Sequence, residues 1–416
     1  MLSPAGIGTE AAWEALASGT SGVAPITAFD ACRLETQIAA EVKDFDARKY
    51  IQPRKALKVM TRDIQLAVAA SVMAVEDAGI VGRVAPERFG VSIGAPLMGI
   101  DIYQLAVGVA QSRDESGRFD IRRFGAEGMR HLFPLRLLKY LPNMPACHMT
   151  IRHNAQGPSN SITTAGAAGL QAVGEACRII ERGAADAMIC GGAASKVNPT
   201  GMIRYALCRQ LSRRNDEPEK ACRPFDRDRD GLVVGEGAGI LVIEELSLAE
   251  RRGARIHAEI VGYGASCDVP MLNGTPRTGA ARALCMSRAL EDAGLSPADV
   301  DYVSTCGLGT EENDRIEVDA IQRLLGPRAA EVPVSSMKSI LGHLDAGAGA
   351  VELIGCVLAL HHSVVPPTLN CDHPDDGFDL DFVPNRAREA PLDVILADAA
   401  SVAGQNAAVV VRRFVG

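Results

Sequence analysis

Three short stretches of this sequence carry residue types and spacings suited to chemistry. The first reads Gly157-Pro158-Ser159-Asn160-Ser161-Ile162-Thr163-Thr164-Ala165-Gly166-Ala167-Ala168-Gly169. A β-rich run breaks there at small residues and enters a helix, which presents one side chain at a helix N-terminus. Backbone N–H groups and the positive dipole end stabilise a thiolate or an oxyanion at such a point. Elbows of this kind usually carry Ser or Cys; this one carries Gly166. The second stretch, Cys222 to Gly239, is a loop dense in paired opposite charges and glycines that leads into a buried strand. The third, Val334 to His343, ends a strand in Lys338 and places His343 five residues on, before an Ala/Gly-rich helix. Plainer readings stand beside these. The first stretch is also an ordinary tight strand-to-helix turn, and His343 is also a buried imidazole donating to backbone. Thr163 and Thr164 flank the turn with no base evident beside them, and His148, His153, His361 and His362 match no motif. The pair His361-His362 reads as a helix C-terminus interacting with the dipole.

The elements that would position these residues alternate between apolar β-rich and helix-like segments. That pattern predicts an α/β protein with parallel sheets covered by helices on both faces. Strands are expected at Phe89–Ile93, Asn160–Thr164, Ala187–Cys190, Gly239–Glu244, Ala258–Tyr263, Tyr302–Cys306, Val332–Lys338, Val394–Ala397 and Ala407–Arg412. Helices with apolar residues at three-to-four spacing are expected at Arg62–Asp77, Ala167–Arg182, Gly279–Ala293, Asp314–Leu325 and Ala348–Leu360. Gly79, Gly183 and Gly294 read as helix stops. The polar stretch Arg251 to Arg255 divides the chain into halves, 1–250 and 251–416. Arg209 to Arg229 reads as a solvated loop, and solenoid repeats and low-complexity segments are not visible.

Composition narrows the function classes. A chain of 416 residues is long enough for two fused halves with a sizeable core. Hydrophobic residues at 47% and charged residues at 23% fit an ordinary globular protein and not a disordered one. Aromatic residues at 4% leave little for a base-stacking platform, and a formal charge of −8 argues against nucleic acid as the main partner. The longest apolar run, Ala346 to Leu360, is broken by Glu352 and is short for a bilayer span. Met1 to Gly8 lacks the features of a signal peptide, so a cytoplasmic protein without membrane association is expected. The 11 cysteines show no metal-ligand spacing, and neither disulfides, zinc nor any cofactor is expected.

Taken together, the three stretches resemble the β-ketoacyl-acyl-carrier-protein synthases of the thiolase superfamily, of the elongating type. The likeness runs from Met1-Leu2-Ser3-Pro4-Ala5-Gly6 to the C-terminal strand and is most specific in Arg223–Gly239 and around Lys338 and His343. It implies a five-layer αβαβα fold of two similar halves. In that family a Cys attacks an acyl thioester while two His residues assist decarboxylation of malonyl-carrier protein and stabilise the enolate. Carried over residue by residue, the Cys falls on Gly166 and the first His, of a His-Gly-Thr motif, falls on Cys306 in Cys306-Gly307-Leu308. The second His is His343 and the Lys is Lys338. The gate loop Gly-Phe-Gly-Gly-Thr-Asn corresponds to Ser401-Val402-Ala403-Gly404-Gln405-Asn406, and a preceding gate Phe falls at Ala400. The family also begins with an apolar strand, whereas Met1 lies only two residues before Ser3; a mis-set start or trimmed chain is the simpler reading.

These departures imply three functions. The first is a non-condensing partner subunit, similar to chain-length factors, paired with an active ketosynthase and meeting acyl carrier protein. The second is decarboxylation of malonyl-carrier protein with His343 as the surviving group. The third is an altered acyl transferase or hydrolase in which water or a carrier thiol replaces the Cys. A nucleophilic Cys306 is conceivable, although a small buried Cys filling a hole is commoner. The resemblance also implies a dimer, and Arg54, Lys55, Lys58 and Arg62 form the densest basic cluster for an anionic carrier, or merely solvate a helix and loop.

Overall fold

Two sheets lie face to face with a pair of helices between them. The computed structural model describes residues 1–97, 102–269 and 277–416. The first sheet has six strands, in the spatial order Gly6–Ile7, Leu2–Ser3, Glu236–Glu244, Ala187–Ser195, Phe89–Gly94 and Ser159–Ile162. The second has five, in the order Val334–Ser335, Tyr302–Ser304, Val394–Ala400, Gln405–Arg412 and Glu259–Cys267. Helices Ala168–Glu181 and Ala348–His362 pack against strands of both sheets. Arg62–Ala78 and Met144–His153 cover the outer face of the first sheet. Ala280–Asp292 and Glu311–Leu325 cover that of the second. The result is the expected five-layer αβαβα arrangement.

The layering follows from the apolar patterns. Helix Ala168–Glu181 buries Leu170, Val173, Ala176 and Ile179, a stripe at three-to-four spacing. Helix Ala348–His362 is buried on nearly every side from Ala348 to Cys356, as a helix between two sheets must be. These side chains meet Met188 from one sheet and Tyr302, Ile395 and Val409 from the other in the central core. Each fully buried Leu or Val there contributes about 1.5–3 kcal/mol. Close approach also needs the absence of side chains: a Cβ on Gly192 would stand 2.0 Å from the Ala346 carbonyl oxygen. That contact brings the segment following His343 down onto the first sheet.

Three expectations are corrected. The sheets are mixed, not parallel throughout: Glu236–Glu244 returns antiparallel to Ala187–Ser195, and Gln405–Arg412 antiparallel to Val394–Ala400. The latter pair is joined by the short loop 401–404, which leaves no length for a crossover helix. The strand expected to reach Lys338 stops at Ser335. Ser336 turns away, donating its N–H to Thr368 Oγ1 and its hydroxyl to the Gly307 carbonyl, and Lys338–Leu341 is a helical turn. The charge-rich stretch to Arg229 is not a solvated loop along its length, because Arg223, Asp226 and Arg229 are buried. Asp226 accepts the backbone N–H groups of Asp228 and His373 as well as Arg223 Nε, so its charge is fully partnered.

Candidate active site

The elbow forms as its composition predicts. Strand Ser159–Ile162 ends, Ala165 adopts φ 49°, and a 3-10 turn over Ala165–Ala167 feeds the helix that starts at Ala168. A left-handed alanine costs about 1 kcal/mol, so the sharp turn is held by its surroundings. Gly166 is buried at its apex. A Cβ placed on Gly166 would lie 2.5 Å from the carbonyl oxygen of Ala400 and 3.4 Å from His343 Cε1. The point where a side chain would begin is thus occupied by backbone from the end of strand Val394–Ala400.

His343 is fixed through its main chain. Its N–H donates to the Val233 carbonyl at 2.7 Å and its carbonyl accepts from Gly235 N at 2.9 Å, so the loop of paired charges serves as its splint. Tyr205 meets the imidazole edge-on with ring centroids 6.2 Å apart. Burial, seconded by the Lys338 charge and opposed by Asp345, lowers the imidazole pKa to about 4. His343 is therefore neutral near pH 7, and its Nδ1 is buried without a hydrogen-bond partner among the described residues.

Lys338 is 1% exposed and its Nζ lies 2.6 Å from Glu352 Oε1. Burial alone would lower this ammonium, but the Glu352 carboxylate paired with it opposes that and the group is held charged. Cys306 is 2% exposed, with Sγ 3.9 Å from the same Ala400 oxygen that faces Gly166. Burial raises its thiol pKa, against the nearby Lys338 and Arg282 charges, so it is protonated and a poor nucleophile. Of the four residues expected from the sequence, Gly166 and Cys306 meet at the Ala400 carbonyl and His343 lies beside Gly166, while Lys338 stands behind them, its charge acting on Cys306 and His343.

The sequence reading missed the carboxylates that hold this centre. Glu317 accepts the N–H groups of Cys306 at 2.6 Å and Gly307 at 2.7 Å. Asp314 accepts those of Leu308 at 3.0 Å and Phe225 at 2.9 Å. Both lie on the buried face of helix Glu311–Leu325 with Val318, Ile321 and Leu325. Acids at three-to-four spacing on an otherwise apolar helix face were the available signal. Arg282 and Asp398 form a further buried ion pair at 2.6 Å. Among the described residues, no cluster of His, Cys, Asp and Glu has the arrangement of a metal site.

The basic cluster divides. Arg54, Lys55 and Lys58 are exposed on the turn Arg54–Val59. Arg62 is half-buried: it binds Glu236 at 2.7 Å and the Val42 carbonyl at 2.9 Å, with its guanidinium over the Phe45 ring. A surface cleft of about 1010 Å³ is lined by Arg62, Lys139, Ser195 and Glu236 among others, and includes none of Gly166, Cys306, Lys338 or His343. No helix among the described residues is long and apolar enough to cross a membrane.

Comparison with known proteins agrees with this architecture. The model of the β-ketoacyl synthase N-terminal domain matches residues 1–249 and that of the C-terminal domain matches 257–372. A 3-oxoacyl-[acyl-carrier-protein] synthase 2 of Vibrio harveyi is 38% identical over 415 residues, covering 99% of this chain and 96% of that protein. The solved ishigamide ketosynthase/chain length factor superposes with a TM-score of 0.86 at 34% identity, covering 100% of this chain and 97% of the other. A type II PKS acyl-carrier protein in complex with its ketosynthase bound to the hexaketide includes a chain matching with a TM-score of 0.84 at 29% identity, over 100% of this chain and 97% of the other. The chain belongs to the β-ketoacyl synthase family and has its thiolase-like fold of two similar halves.

Proposed function

We propose that this β-ketoacyl synthase homologue is a non-condensing subunit, of the chain-length-factor kind, that works beside an active ketosynthase on chains borne by acyl carrier protein in fatty-acid or polyketide synthesis. The observation that carries the reading is the Ala400 carbonyl standing where a side chain on Gly166 would begin. Gly166 itself has no atom to acylate, and the nearest thiol, Cys306, is buried and protonated. A hydrogen-bond acceptor also faces this centre, where an oxyanion would need donors.

Partnership has its own support. Large apolar side chains are exposed in number between residues 102 and 151, Tyr103, Phe119, Ile121, Leu137 and Ile151 among them. Helix Met144–His153, which carries Ile151, packs against Ser159–Ile162, the edge strand of the first sheet. Exposed apolar side chains next to a sheet edge suit an extensive subunit interface. The relatives whose structures match include a ketosynthase/chain length factor and a ketosynthase with its carrier protein.

Decarboxylation of malonyl-carrier protein is the second reading, favoured by one observation: a neutral His343 whose buried Nδ1 has no partner among the described residues, beside Gly166. The deciding experiment is intact-mass analysis of malonyl-carrier protein incubated with this protein alone and with a co-purified ketosynthase. Elongation only in the pair supports the subunit reading. Conversion to acetyl-carrier protein by the isolated protein replaces it with the decarboxylase.

A further inference from the structure

The backbone segment that closes over Gly166 and the one that carries Cys306 are tied to one buried guanidinium. Arg282, on helix Ala280–Asp292, is 2% exposed. Its Nε lies 2.6 Å from Asp398 Oδ2 and its Nη2 3.2 Å from Glu317 Oε1. Asp398 sits two residues before Ala400, whose carbonyl faces Gly166. Glu317 holds the backbone of Cys306 and Gly307 by two short hydrogen bonds. One buried cation therefore lies between the carboxyl groups attached to the two segments, hydrogen-bonded to Asp398 through Nε and in charge contact with Glu317 through Nη2.

Stability alone does not account for such a cluster. Desolvating an arginine and two carboxylates costs roughly what their attraction returns, and apolar residues of similar volume usually serve as well. What an ion cluster adds is a fixed relative position for the groups it joins. Here those groups are strand Val394–Ala400 and the loop that begins at Cys306.

We propose that Arg282 is the positioning residue that keeps this centre closed: by binding Asp398 and Glu317 together it seats the Ala400 carbonyl against Gly166 and Cys306. The meaning of the closure rests on the reading of Gly166 as an emptied nucleophile position, but the closure itself involves no partner. A carrier-borne chain is thereby kept out of this half of the assembly and left to the partner's centre.

The native Cys306 thiol reports on the lock. The folded protein is treated with iodoacetamide and modification of each cysteine is followed by peptide mass spectrometry, with the buried Cys190 and Cys356 as internal controls. Arg282→Met/Asp398→Asn removes one charge of each sign, so the net charge of the cluster is unchanged. In that variant Cys306 should react at least tenfold faster than in the native protein, while Cys190 and Cys356 keep their native rates. Arg282→Lys should fall between, because an ammonium satisfies one carboxylate at a time. A native Cys306 rate in the folded double variant, or equal acceleration of all three thiols, overturns the proposal.

Should the double variant not fold, Asp398→Asn alone releases only the strand. Hydrogen exchange should then quicken at 399–402 and stay native at 306–309; equal exchange in both segments also overturns it. Failure of the protein to bind a ketosynthase would count against the proposed function and leave these readouts unchanged.

Discussion

The carbonyl oxygen of Ala400 stands 2.5 Å from the point where a side chain on Gly166 would place its Cβ. The obstructing atom is backbone in a paired strand, so it cannot swing aside as a side-chain tip would. Gly166→Ala should therefore destabilise the protein by about 1–3 kcal/mol, the usual cost of overpacking. A urea midpoint lowered relative to the native protein, with an unchanged slope, is the expected result. Gly166→Cys should carry the same penalty and should not restore condensation of malonyl-carrier protein, even in the presence of acyl donor. Turnover regained by that single change would mean that the strand end yields more readily than its pairing implies.

The native protein should also resist acylation. Cys306 is the thiol nearest the elbow, and burial holds it protonated at neutral pH. Incubation with an acyl-CoA or acyl-carrier protein should leave the intact mass unchanged over the time in which a Cys-bearing ketosynthase is fully modified. An added acyl group mapped to Cys306 would overturn this expectation.

How far the sequence foretold this arrangement depends on the range of the forces involved. The helix stops at Gly79, Gly183 and Gly294 were legible, and each has the positive φ that a glycine stop supplies, 58°, 70° and 66°. The stripe Leu170, Val173, Ala176, Ile179 is a periodicity within one helix, so it too could be read locally. Lys338 and His343 were visible as a motif. Their partners were not, because Glu352 reaches Lys338 across packed elements and Val233 reaches His343 from a segment more than a hundred residues earlier. Arg282 was hidden for the same reason: an arginine in a helix reads as surface until Asp398 and Glu317 are found around it. The end of the strand at Ser335 depends on Thr368 and Gly307, both distant in sequence.

Lys338 and Glu352 form a buried pair at 2.6 Å, with Glu352 Oε2 unpartnered among the described residues. Lys338→Met leaves a carboxylate buried without its counter-charge, which should cost about 3–5 kcal/mol. Lys338→Met/Glu352→Leu removes both charges and should recover most of that loss. Urea unfolding of the two variants measures the difference directly. If the single variant is as stable as the native protein, the pair is not the anchor its geometry indicates.

Acid should weaken the fold through His343. Its folded-state pKa of about 4 lies below the ordinary value of 6.5, chiefly because burial disfavours the charged ring. The neutral form is thus the one the fold accepts. Its contribution is complete above pH 6.5 and is lost as the pH falls from 6.5 towards 4. At pH 5 the loss is about 2 kcal/mol, taking one pKa unit as about 1.4 kcal/mol. His153, also lowered to about 4 by burial and Arg152, adds to the same window. The melting temperature should fall between pH 7 and pH 5, and His343→Gln should flatten that dependence without abolishing it. An unchanged slope in His343→Gln would show that the imidazole is not buried in its neutral form.

The basic cluster on the N-terminal half separates docking from folding. Arg54, Lys55 and Lys58 make no described ion pair and extend from an exposed turn, whereas Arg62 is committed to Glu236. Carrier protein docking through the first three is an electrostatic encounter, so it should weaken as salt passes physiological strength, where the Debye length is roughly 8 Å. In a complex reconstituted with an active ketosynthase, burying on the order of 2,000 Å² as obligate pairs do, Arg54→Glu/Lys55→Glu/Lys58→Glu should slow elongation several-fold. Its assembly by size-exclusion chromatography should be unaffected. Arg62→Glu should behave differently: it sets two carboxylates against each other in a half-buried site and should lower the melting temperature before any effect on docking is measurable. If the triple reversal leaves elongation and its salt dependence unchanged, the carrier approaches by another face, and the three cations serve only to solvate their turn.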